Sequence, residues 1–129
     1  MIVDASIVIA ALLADGSVRR QLLHTEAPLT APAYLREETM RKVPVLARRS
    51  GVPTAILLQA VLALFDRLEF IPAPAYAHAM PAARVACKAA HAMGDEDYVA
   101  LAMATGDDIW SLDHDFDRIH GVRRVARAR

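Results

Sequence analysis

The sequence predicts an α/β fold: a parallel sheet covered on both faces by helices. Short apolar runs of strand length recur along the chain, at Met1–Val3, Pro28–Ala31, Glu69–Pro72, Asp108–Leu112 and Val122–Val125. A segment with helical spacing separates each of these runs from the next, the pattern of strand–helix–strand units rather than of hairpins. Acidic residues cluster where apolar segments end or helices begin. They are Asp4, Glu38, Asp95, Asp113 and Asp115.

The elements follow in order. Met1–Val3 reads as a short buried strand ending at Asp4. Ile7, Ala10, Ala11 and Ala14 then share one helical face, with Leu12 and Leu13 beside it. Asp4 or Ser6 offers a side-chain oxygen to cap that helix. Gly16-Ser17 breaks it and starts a second helix through Leu23. After the weak strand at Pro28–Ala31, Pro32 suits the first turn of a helix running to about Arg49, which Pro44 is expected to kink or divide. Leu35, Thr39, Val43 and Leu46 give that helix a buried side. Ser50-Gly-Val-Pro-Thr54 is a break, and Thr54 is placed to cap an apolar helix from Ala55 to about Arg67. An Ala-rich helix, Ala82–Met93, ends at Gly94, and another spans Glu96–Ala104 with Tyr98, Leu101 and Ala102 at core spacing. A short helix from His114 to Ile119, stopped by Gly121, precedes the last strand.

Composition narrows the function. The chain of 129 residues is of single-domain length, taken as one domain over 1–129. A hydrophobic share of 55% with 23% charged residues indicates a well-filled core and excludes a disordered chain. The net charge of +0 gives no global attraction to nucleic acid, although Arg123, Arg124, Arg127 and Arg129 form a basic tail, read as a solvated end. Cys87 is the single cysteine, which rules out an intrachain disulfide or a Cys-rich zinc site. Asp4 and Asp15 interrupt the apolar N-terminus, so no secretory signal is expected. The apolar run Ala55–Phe65 is too short to span a bilayer. A cytoplasmic protein without a membrane segment is the expectation.

The acids carry the chemistry. In an open parallel sheet, ligands lie beyond the carboxyl ends of the strands, which is where Asp4 and Asp113 fall. Each acid alone reads as a helix cap or a surface charge. Gathered together, two carboxylates about 4 Å apart repel by roughly 4 kcal/mol at an effective dielectric near 20. Such a cluster must raise its pKa values or bind a cation. An all-oxygen donor set suits Mg²⁺ or Mn²⁺ over Zn²⁺, and with it hydrolysis of phosphodiesters.

Four segments in the same order, Ile2-Val-Asp-Ala-Ser6, Ala31-Pro32 followed by Glu38, Asp95 three residues before Tyr98, and Ile109-Trp-Ser-Leu-Asp-His-Asp-Phe116, resemble the PIN-domain family. They are similar in particular to the VapC-like toxin ribonucleases of toxin–antitoxin pairs. The resemblance implies a sheet of four or five parallel strands and an acidic quartet, Asp4, Glu38, Asp95 and Asp113, that binds Mg²⁺ or Mn²⁺ and performs RNA cleavage. It implies Asp115 as an additional acid, and Ser6 and Ser111 as hydroxyls that orient a carboxylate or water. It also implies an RNA substrate, a small antitoxin partner and a homodimer, for which the Ala55–Phe65 helix offers a face. Glu37 adjoins Glu38, and only the spacing from Pro32 selects the second. Asp97 follows Asp95, and the tyrosine register selects the first.

The remaining polar residues have blander readings. His114 between two candidate ligands reads as a solvent-facing loop residue, and Trp110 as core. Arg19, Arg20, Arg36, Arg41, Lys42, Arg48 and Arg49 either line an RNA path or form ordinary solvated faces. Two other functions stay open. One is a catalytically silent PIN-like RNA-binding or protein-interaction module. The other is a receiver-like phosphotransfer domain, against which stand the missing second N-terminal acid and the absence of any lysine beyond Lys88.

Overall fold

The computed structural model describes residues 1–13 and 16–128. The positions read at Ala14, Asp15 and Arg129 lie outside them. Five short strands, β1 (Ile2–Val3), β2 (Thr30–Pro32), β3 (Glu69–Ile71), β4 (Ile109–Trp110) and β5 (Arg124–Val125), form one sheet in the order β3-β2-β1-β4-β5. Every neighbouring pair is parallel. Among the described residues six α-helices connect them: α1 (Ala5–Leu13), α2 (Ser17–His24), α3 (Tyr34–Ser50), α4 (Thr54–Phe65), α5 (Met80–Ala89) and α6 (Glu96–Thr105).

The order of strands determines where the layers lie. The chain steps outward from β1 to β2 to β3, then crosses back past β1 to β4 and β5. With right-handed crossovers, this reversal assigns α1–α4 to one face and α5–α6 to the other. The packing agrees: α1 touches α2, α3 and α4, while α5 packs on α6 and α6 on β1 and β2. The direction reverses between β1 and β4, so the crevice beyond their carboxyl ends is the switch point at which such sheets hold ligands. Ile2, Val3, Ile109 and Trp110 are fully buried beneath it, as near-continuous apolar strands covered on both faces must be.

Three local expectations are corrected. Pro32 does not open a helix; it ends β2. The Thr30 N–H donates to Met1 O at 2.8 Å. Two residues later the same edge of the strand carries Pro32, which has no N–H to give, so the pairing with β1 stops there. Pro44 does not divide α3, which runs unbroken from Tyr34 to Ser50. Pro44 and Met40, whose carbonyl loses its helical partner, are both exposed, so the lost bond does not fall in the core. Thr54 makes no side-chain cap; Pro53 bounds α4 instead. Further along, the expected Ala82–Met93 helix starts at Met80, after two 3-10 turns, and ends at Ala89. The short helix after Asp113 is a 3-10 turn, His114–Arg118. Gly16 precedes α2 at φ 96°, a conformation that side chains rarely adopt, and a Cβ there would meet the Arg20 guanidinium at 3.1 Å.

Candidate metal centre

At the switch point, β1 runs straight into α1, and Asp4 occupies the joint. Its N–H donates to Trp110 O at 3.3 Å, which ties it to the end of β4. Asp4 is 6% exposed. Ser6 Oγ donates to its Oδ1 and Ser111 Oγ to its Oδ2, both at 2.6 Å. The Ile7 N–H reaches Oδ1 at 3.4 Å, a long cap on α1. Each serine also accepts a backbone bond from the loop after β4: Leu112 N–H to Ser6 Oγ at 3.0 Å, and Asp113 N–H to Ser111 Oγ at 2.8 Å. A hydroxyl has one proton, and both are spent on Asp4. The two serines therefore fix the carboxylate and staple two segments more than 100 residues apart in sequence.

The other acids converge on the same place. Asp4, Glu38, Asp95 and Asp113 line one cavity of about 390 Å3, together with Ser6, Tyr34, Arg41, Lys42, Met93 and Gly94. One carboxylate oxygen from each of Asp95, Asp113 and Asp115 lies within 4.8 Å of the others. Opposite oxygens around one Mg²⁺ ion stand about 4 Å apart, so these all-oxygen donors fit a hard divalent cation. Asp115 stands with Asp95 and Asp113 in this group, which does not include Asp4 or Glu38. The Asp115 backbone N–H donates at 2.8 Å to Asp113 Oδ1, which caps the turn, and Arg118 pairs with the Asp115 carboxylate at 2.9 Å.

Both ambiguities of register resolve by burial and partner. Glu38 turns inward, where Tyr98 Oη donates to its Oε1 at 3.4 Å and Lys42 stands 3.9 Å away, while Glu37 is exposed. Asp97 is engaged elsewhere, accepting a 2.6 Å bond from Tyr76 Oη. Asp95 sits at the N-cap of α6 and makes no capping bond. Its carboxyl faces other acids instead.

Electrostatics express the crowding. Burial first, and then the charges of Asp113, Asp4, Glu38 and Asp115, push the Asp95 carboxyl up to about 7. Burial also raises Asp4, against the hydrogen bonds from Ser111, Ser6 and Ile7 that favour its charge. Glu38 is raised by burial and by Asp4, with Lys42 opposing. Metal-free, the cavity holds its negative charge at a cost, which a bound cation would remove.

Several contacts were not read from the sequence. Tyr98 was taken as core, which it is, yet its hydroxyl reaches Glu38. Arg124 is no solvated tail residue: it bonds Asp117 through Nε and Nη2 at 2.9 and 3.1 Å and donates to Ser111 O at 3.0 Å. His114 is exposed and lies 3.0 Å from Asp117, away from the cavity lining. Tyr34 and Met93 joined the cavity without any signal in spacing.

A doubly wound parallel sheet with an acidic cavity at its switch point defines the class. Within it the chain belongs to the PIN-domain family, whose model matches residues 2–127. No curated protein matches it in sequence. Among solved structures it is similar to PAE2754 from Pyrobaculum aerophilum, with TM-score 0.71 and 17% identity over 96% of this chain and 82% of that one. It is equally similar, with TM-score 0.71 and 14% identity over 96% of both chains, to a chain of VapBC2 from Rickettsia felis bound to a DNA fragment from their promoter. At such identities the likeness shows the fold.

Proposed function

We propose that this chain, acting as one domain over residues 1–129, is a Mg²⁺- or Mn²⁺-dependent endoribonuclease and the toxin of a toxin–antitoxin pair. The convergence of Asp4, Glu38, Asp95 and Asp113 on one cavity at the switch point carries the reading. Membership of the PIN-domain family and the likeness to a VapBC2 chain support it.

A bound divalent ion supplies a Lewis acid for the phosphoryl oxygens and a water of lowered pKa. The residues do the rest. Asp95, Asp113 and Asp115 would hold the cation, with Asp4 beside them in the orientation its serine bonds favour. Glu38, held between Tyr98 and Lys42, orients the attacking water. Ser6 and Ser111 keep Asp4 from rotating away, and their hydrogen bonds favour its charged form against the burial that opposes it. Ser111→Ala is accordingly expected to raise the metal dissociation constant by about 10- to 100-fold, read by titrating Mn²⁺ against the melting temperature. An unchanged constant would remove Ser111 from the site.

The partner and location follow from the same reading. An apolar groove of about 320 Å3 between α1, α2 and α4, lined by Leu12, Leu23, Ile56 and Leu57, offers a small antitoxin a place to bury a helix. Leu62 stands exposed on α4, turned about 120° away from the groove residue Ile56, and offers a separate face for a homodimer. Among the described residues no helix is long and apolar enough to cross a membrane. A cytoplasmic site, where RNA is at hand, completes the proposal.

The direct test incubates the purified protein with labelled RNA in Mn²⁺, in Mg²⁺ and in EDTA. Cleavage in either metal, absent in EDTA and absent from the Asp113→Asn variant, is expected. RNA binding without turnover would replace the nuclease by a silent RNA-binding module.

A further inference from the structure

Arg41 is a lining cation near enough to Glu38 and Glu37 to feel their charge, yet held against neither at contact distance. Lys42, the other basic lining residue, pairs with Glu38 at 3.9 Å. Among the described residues Arg41 forms no ion pair. Its Nη2 donates instead to Tyr34 Oη at 2.7 Å, with the guanidinium 5.5 Å from that ring's centroid. A guanidinium carries five N–H donors in a fixed plane, so this single bond leaves most of the fork open.

The anchor itself is rigid. Tyr34 opens α3 and stands edge-on to Tyr98, with centroids 6.5 Å apart. Tyr98 is 1% exposed and in turn stands edge-on to Phe116, which is fully buried. A row of three rings thus runs from the core to the cavity lip and ends on the Arg41 head group. An ordinary surface arginine would sweep its rotamers at an entropic cost on binding. Here the hydroxyl holds the head group beside the cavity in advance.

The cavity also needs such a charge. Four carboxylates line it, and one of them is already matched by Lys42. A phosphodiester carries a negative charge at every residue, so its approach is opposed by the acids that the reaction requires. The charge of a divalent cation acts at the scissile phosphate. The neighbouring phosphate needs a donor at the lip, and a planar guanidinium is the group that grips phosphate oxygens in pairs.

We propose that Arg41, held by the Tyr34 hydroxyl, seats the phosphate next to the scissile one and so positions the RNA strand across the acidic cavity. This rests on the nuclease reading for its substrate. Arg41 touches the strand; Tyr34 is a positioning residue that acts through Arg41. At Gly94 the lining backbone N–H is taken by the Glu96 carboxylate at 2.8 Å, which adds negative charge there, so the RNA backbone is placed on the α3 side.

The test measures binding and turnover separately. A fluorescein-labelled ten-nucleotide RNA is titrated by anisotropy in Ca²⁺ at several salt concentrations, and the same RNA is cleaved in Mn²⁺. Arg41→Gln is expected to weaken binding about 10-fold and raise KM to match, with kcat within about 3-fold of the parent. The slope of log Kd against log salt should fall by about 0.7, the value for one phosphate contact on a single strand. Arg41→Lys should restore the slope but not the affinity. Tyr34→Phe should weaken binding by about 3-fold with the slope kept, since the charge remains but wanders. Melting temperatures of all three should match the parent, because Arg41 is exposed and Tyr34→Phe keeps the partly buried ring that packs on Tyr98. Arg41→Gln with parental KM, Kd and salt slope would overturn the proposal while leaving the nuclease reading intact. Binding that loses one phosphate in Arg41→Gln, in a protein with no turnover, would uphold the clamp and sink the nuclease. A parent that binds no RNA would overturn it as well.

Discussion

Asp4→Asn is expected to abolish metal-dependent RNA cleavage, by at least ~10³-fold in kcat, while the metal-free protein folds as before or more stably. The two halves of this result have one cause. Asn has the shape of Asp, so Oδ1 still accepts from Ser6, and the new amide replaces an oxygen toward Ser111, whose hydroxyl can turn to accept. What disappears is a charge that burial disfavours. It also stops repelling Asp95, one of whose upward influences is Asp4. Metal-free Asp4→Asn should therefore melt no lower than the parent above neutral pH. A cation would lose a carboxylate donor at the point where β1 and β4 meet, and the cavity would lose part of the field that draws it in. Parental cleavage rates in Asp4→Asn would sink the assignment of the site. A variant that melts well below the parent would show that the Asp4 network is structural first.

Much of this site was legible in residue order because strand ends are legible. Asp4 follows a buried apolar strand, and Asp113 follows the strand carrying Trp110, so a parallel sheet alone brings them to one rim. The sheet itself was readable even though its strands are two or three residues long, since alternation with helices outlasts errors in each boundary. Residues on helices were harder. Neighbouring positions on a helix point about 100° apart, so Glu37 and Glu38 present either-or choices that only tertiary burial settles. Asp97 was set aside by the tyrosine register alone; the partner that engages it, Tyr76 in a turn before α5, had no signal in the pattern. Arg124 looked like part of a tail; its role depends on Asp117 and on a carbonyl of another strand's loop. The prolines misled in opposite directions. Pro32 has a first-turn preference that yielded to the sheet edge, and Pro44 lies inside an undivided α3 on its exposed side.

Divalent metal should stabilise the protein more as pH rises, and the metal-free protein should weaken over the same range. The Asp95 carboxyl is raised to about 7 in the folded, metal-free state, against about 3.9 for an unfolded aspartate. The folded state therefore binds this proton more tightly than the unfolded one. Stability contributed by the protonated carboxyl is full below pH ~4 and is lost as pH climbs toward 7. Asp4 and Glu38 are shifted in the same direction. Asp117 works the other way: hydrogen bonds from Arg124 and His114 depress its carboxyl, so its contribution fades only at pH values below the ordinary range. The two effects thus occupy different windows. Between pH 5 and 8 the acidic cavity dominates, and the metal-free melting temperature should fall. A cation competes with those protons, so its effect is small at pH 5 and large at pH 8. At free Mn²⁺ 100-fold above its dissociation constant the gain is about 2.7 kcal/mol, or roughly 10 °C for a chain of this size. Scanning fluorimetry with Mn²⁺, Mg²⁺ and EDTA at both pH values measures it, and Asp4→Asn should reduce the gain sharply. A metal shift that is absent at pH 8, or equal at pH 5 and 8, would mean that these carboxylates do not share a cation.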